Sequence, residues 1–70
     1  MAETVQVRIN GRERQVDRGH TVRSLLEVLE LQPGMVVVEL NREILERDRL
    51  EEHGVSEGDV IELVHFVGGG

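Results

Sequence analysis

Few side chains in this 70-residue sequence are equipped for covalent chemistry. It contains no cysteine, and so no thiol nucleophile, disulfide or thiolate metal site. All eight cationic residues are arginine, which removes the side-chain amine that Schiff-base chemistry or isopeptide attachment requires. His20, His53 and His65 stand at spacings that match no metal-ligand pattern. Ser24 falls within a helical pattern and Ser56 within a turn, neither in a histidine and carboxylate arrangement that the sequence alone supports as a nucleophile and base. No catalysis by the isolated chain is expected. What remains is the carboxylate that ends the tail Gly68-Gly69-Gly70. A carboxylate is a poor electrophile, and conversion to a mixed anhydride supplies the leaving group it lacks. Glycine suits the delivery of such a group, because a backbone without Cβ threads a narrow channel and approaches phosphates closely. In an arbitrary protein, terminal glycines are more often a frayed end.

The elements that must present this tail can be read from periodicity. Thr4 to Asn10 alternates, with Val5, Val7 and Ile9 on one side and Gln6 and Arg8 on the other, the period of a half-buried strand. Asn10-Gly11 tolerates the positive φ angles of a type I′ hairpin, so Arg12 to Val16 is expected to return antiparallel with Val16 inward. Thr21 is the predicted N-cap of a helix whose Val22, Leu25, Leu26 and Leu29 follow the i, i+3, i+4, i+7 spacing. That helix is expected to end near Leu31, before Pro33 and Gly34. Met35 to Leu40 reads as a strand, with Val36, Val38 and Leu40 inside and Val37 and Glu39 outside. Ile44 and Leu50 are expected to anchor a short strand and a turn to the core, and the mixed charges from Glu46 to Glu52 read as a solvated surface. Ser56-Glu57-Gly58-Asp59 is a predicted turn and Val60 to Val67 the last strand.

Length and charge narrow the partners. Seventy residues make one domain, which buries about 60% of the surface its unfolded chain exposes. The formal net charge of -6 opposes binding to phosphate backbones and anionic lipid, and Phe66 alone makes no stacking platform for single-stranded nucleic acid. With no apolar run near the roughly 20 residues that cross a bilayer, a cytoplasmic protein with no membrane or nucleic-acid partner is expected, one that meets proteins with basic surfaces.

The order strand, strand, helix, strand, short strand, strand resembles the ubiquitin-like β-grasp fold: α+β, a mixed four- to five-stranded sheet with one main helix across one face. The chain most resembles the ThiS family of thiamin-biosynthesis sulfur carriers. The matching stretches are Gly19-His20-Thr21-Val22 with Leu25, Leu26 and Leu29; Leu40-Asn41 with Ile44 and Arg47; Glu57-Gly58-Asp59 with Ile61 and Leu63; and Gly69-Gly70. Glu46 before Arg47 and Leu50 after it depart from the proline and the aromatic residue often found there in that family.

The resemblance implies a domain over 1–67 and a flexible tail over 68–70. It also implies a cycle in which a ubiquitin-activating-like adenylating enzyme of the ThiF type uses MgATP to adenylate the Gly70 carboxylate. A persulfide sulfur, from a cysteine desulfurase or another donor, then displaces AMP. The Gly70 thiocarboxylate is delivered to a thiazole synthase of the ThiG type, with Gly68 and Gly69 entering the partners' active sites. The chain itself would bind no cofactor. Carriers for molybdopterin, cysteine or tRNA thiolation are the alternatives among carriers, and a β-grasp binding domain that never uses its C-terminus is the alternative from another functional class. Because the last strand of a β-grasp sheet lies beside the third, outward Val37, Val64 and Phe66 form a candidate partner patch opposite the helix.

Overall fold

The computed structural model describes residues 3–66. Its elements are β1 (Thr4–Ile9), β2 (Arg12–Asp17), α1 (Val22–Val28), a 3-10 turn (Pro33–Met35), β3 (Val36–Leu40), β4 (Glu43–Ile44), a second 3-10 segment (Arg47–Glu52) and β5 (Val60–His65). The five strands form one sheet in the order β2-β1-β5-β3-β4, with β5 parallel to β1 and antiparallel to β3. This is the expected α+β β-grasp arrangement.

Alternation places Val5, Val7 and Ile9 of β1, Val36 and Val38 of β3 and Ile61 of β5 on the inner side, where they meet Val22, Leu25 and Leu26 of α1 in one cluster. Val22, Leu26 and Ile61 are fully buried, and each such side chain contributes about 1.5 to 3 kcal/mol of transfer free energy. Among the described residues, no polar or charged residue is buried with them.

The seven-residue helix is too short to persist alone, so its ends and its packing must hold it. Thr21 accepts a hydrogen bond from the Ser24 amide at 3.1 Å, and the Ser24 hydroxyl accepts one from the Thr21 amide at 2.9 Å. This is a reciprocal cap in which serine takes the place usually held by Glu or Gln. At the other end the helix stops at Val28, three residues before the expected Leu31. Glu30 adopts φ +62°, its amide donates to the Glu27 carbonyl at 3.0 Å, and the Leu31 amide donates to the Leu26 carbonyl at 2.9 Å. That is a Schellman closure without its usual glycine. It brings Leu31 back against the core as a partly buried side chain, which is why the apolar pattern outlasts the helix.

Two hairpin turns clasp β5 from either side. Ile9 pairs with Arg12 across Asn10-Gly11, at φ +51° and +83°, and Leu40 pairs with Glu43 across Asn41-Arg42, at φ +50° and +73°. Two positive φ angles in a two-residue loop define type I′. The Asn10 amide donates to the Ile61 carbonyl, and its side-chain oxygen accepts from the Leu63 amide at 2.7 Å. Likewise the Asn41 amide donates to the Val60 carbonyl, and its side-chain oxygen accepts from the Val60 amide at 2.9 Å. Asn41 also donates to the Asp59 carboxylate at 3.0 Å, which in turn accepts from the Ser56 amide and closes the turn before β5.

Three further expectations are corrected. Met35 belongs to the 3-10 turn, where its amide donates to the Gln32 carbonyl, and β3 begins at Val36. Ile44 does not anchor the core: it is 67% exposed, and Leu45 is buried in its place. The Asn41-Arg42 turn sets that register, because it pairs Ile44 with outward Glu39, and directly paired residues share a face. The last strand ends at His65. Val67 and the tail Gly68, Gly69 and Gly70 lie outside the described residues, as does the boundary expected between 67 and 68.

Candidate functional site

The side of the sheet away from α1 divides into two halves of different chemistry. On β1 and β2 it is polar: Gln6 donates to Glu13, which also pairs with Arg8 at 4.0 Å. On β5, β3 and β4 it is largely apolar. Val37 and Val64 are direct cross-strand partners on this face, the first half-buried and the second 58% exposed. The ladder continues past β5, where the Phe66 amide donates to the Met35 carbonyl at 2.8 Å. Phe66 lines a cleft of about 210 Å³ with Val37, Ile44 and Arg47, and with the core residues Val36, Val38, Leu45 and Leu50. Of the predicted trio, Val37 pairs with Val64 and shares the cleft with Phe66, and Ile44 lies on the same face opposite Glu39.

Ile44 is the residue that sequence reasoning assigned to the wrong side. The signal that locates it is the two-residue loop at Asn41-Arg42, which fixes Glu39 opposite Ile44 once Glu39 is placed outside. Val60, 40% exposed and paired with Arg8, adds a further apolar side chain at the start of β5.

β5 lies in the middle of the sheet, so its end at His65 stands beside the apolar half and not at an outer edge.

Among the side chains considered for chemistry, those of His20 and Ser24 have structural partners. His20 shares a 2.8 Å hydrogen bond with the Ser24 hydroxyl at the helix cap, and its carbonyl accepts from the Val55 amide. The His53 carbonyl accepts from the Val22 amide, and His65 pairs with Val36 in the ladder. Among the described residues, no three histidine or acidic groups are placed to hold a metal ion, and no helix is long and apolar enough to cross a membrane.

The model of the ThiS family matches residues 7–70, from the second half of β1 through β5 and the tail. The chain belongs to the ThiS family. Within that family, it is 46% identical over 50 residues to the sulfur carrier protein ThiS of Bacillus subtilis, covering 71% of this chain and 76% of that one. Its fold superposes on the crystal structure of the thiamine biosynthesis protein ThiS from Geobacter metallireducens with a TM-score of 0.79 at 38% identity, covering 94% of this chain and all of that one. A different kind of relative is a thiazole synthase of Paramagnetospirillum magneticum, 40% identical over 62 residues. That match covers 89% of this ThiS-family chain but 19% of the synthase, so a ThiS-like segment there forms part of a much longer polypeptide.

Proposed function

We propose that this chain, a sulfur carrier of the ThiS family, carries its sulfur as a thiocarboxylate at Gly70 and donates it to the thiazole of thiamin. The observation that carries the reading is the position of β5: the central strand ends beside an exposed apolar face, and the glycines follow directly. A ThiF-type adenylating enzyme joins the Gly70 carboxylate to the AMP portion of MgATP, releasing pyrophosphate. The terminal sulfur of a persulfide, from a cysteine desulfurase or another donor, attacks the activated carbonyl carbon and AMP leaves. Cleavage of the remaining sulfur–sulfur bond by a thiol frees the thiocarboxylate. The chain supplies the reacting carboxylate and its delivery, and the partners supply the catalytic groups.

Thiazole synthase is the favoured acceptor, because a protein of that name contains a segment similar to this chain. Joining carrier and synthase in one polypeptide raises their effective concentration, which is useful only for groups that meet. The apolar face of Val37, Val64, Phe66 and Ile44 is the docking surface for the adenylating enzyme, and Gly68 and Gly69 let the tail enter two different active sites.

Intact mass after incubation with MgATP, the cognate adenylating enzyme and a persulfide source tests the reading. A gain equal to the exchange of one oxygen for sulfur, absent from a chain lacking Gly70, is expected. No gain with an enzyme shown to be active would overturn it and favour a β-grasp domain that binds through its sheet alone.

A further inference from the structure

One arrangement on the apolar half of the outer face works against the fold. Glu39 of β3 and Glu62 of β5 are direct cross-strand partners, so their side chains leave the same face from Cβ atoms about 5 Å apart. Like charges in that position destabilise a sheet. Among the described residues no ion pair engages either carboxylate: those present engage Glu13, Glu27, Glu46, Glu51 and Glu52. Arg8, the cation on the strand next to Glu62, stands opposite Val60 and is paired with Glu13. The two carboxylates are also set among apolar side chains. The Val37 and Val64 pair lies one step along the same face, and Ile44 lies directly across from Glu39.

We infer that this face docks a partner surface that presents an arginine, whose guanidinium bridges Glu39 and Glu62 while apolar neighbours cover Val37, Val64 and Ile44. The partner is the adenylating enzyme, and the inference rests on the reading above that the apolar face docks it. Charge complementarity selects the occupant. A purely apolar partner would bury two unpaired carboxylates against each other at a large cost, so the pair rejects it. A guanidinium supplies several donors in a rigid plane and suits two acceptors at cross-strand separation better than the single point charge of an ammonium. The chain's net charge of -6 attracts such a surface at long range.

The test compares Glu39→Gln/Glu62→Gln, which keeps shape and removes charge, with Val64→Ser, which weakens the apolar contact alone. Affinity for the cognate adenylating enzyme is measured at low and high salt, and thermal unfolding is followed for each variant. The double glutamine variant is expected to melt at or above the parent temperature, to bind about tenfold or more weakly, and to show a smaller salt dependence than the parent. Val64→Ser should bind more weakly with its salt dependence kept. If the double glutamine variant binds as tightly as the parent while Val64→Ser does not, the carboxylate bridge is overturned and docking by the face stands. Weaker binding with unchanged salt dependence also overturns the bridge, because the loss is then not Coulombic. Full affinity in both variants overturns the docking reading itself.

Discussion

The two turns that clasp β5 share a type and a clamp but differ at one position. Asn10-Gly11 and Asn41-Arg42 both have two positive φ angles, and both asparagines accept a β5 amide through the side chain. Glycine meets the second positive φ in one turn without cost, whereas Arg42 at φ +73° pays the steric penalty of an L-residue in the left-handed region. The Asn41 turn offsets that penalty with an extra hydrogen bond to Asp59. A strained turn thus holds its shape when the side chain beside it is tied into the next loop, and that turn, more than the composition of β4, decides which residue faces the core.

The largest expected effect tests that register. Leu45→Ala should lower the unfolding free energy by about 3 kcal/mol in denaturant titrations, and Ile44→Ser should change it by no more than about 0.5 kcal/mol. Comparable losses would mean that the turn does not set the side. Next come the clamps. Both alanine variants lose a residue that tolerates positive φ; Asn41→Ala also loses two side-chain bonds and should cost about 2.5 kcal/mol, whereas Asn10→Ala loses one, and about 1.5 kcal/mol is expected. A reversed order in chemical denaturation would show that the Asp59 link adds nothing. Gly11→Arg isolates the backbone term, because a Cβ there meets nothing within 4 Å, and a loss of about 1 kcal/mol should appear as a lower melting temperature. The smallest effect is the converse change: Arg42→Gly should raise stability by about 0.5 kcal/mol while leaving thiocarboxylate formation unchanged in the intact-mass assay.

Both what was legible in the sequence and what was not follow from the same chemistry. Asn10-Gly11 announces a hairpin because its residue types are those that positive φ demands, and it fixed β1 and β2 with their inward valines. Asn41-Arg42 carries half of that signal, so Ile44 was assigned to the core by its apolarity and its neighbour Leu45 was passed over. Glu30 hides the helix end in the same way, since nothing in a glutamate announces a left-handed residue. The outward side of Val37 was legible because strand alternation needs only one fixed residue, Glu39, while its neighbourhood with Val64 was implied by the resemblance to the β-grasp fold. The opposition of Glu39 and Glu62 was not, because it depends on how β3 and β5 align, and no residue type records that alignment.

The place of β5 also determines how the protein bears a load. On the proposed mechanism, a tail drawn into an enzyme's channel would pull on the strand before it. Were that strand at the edge of the sheet, the pull could peel its hydrogen bonds away one at a time. Here β5 is held by β1 on one side and β3 on the other, and a pull along its length shears both ladders and the two asparagine clamps together. The fold acts as an anchor, and a partner can tug the carrier's end without unravelling the body that brought it.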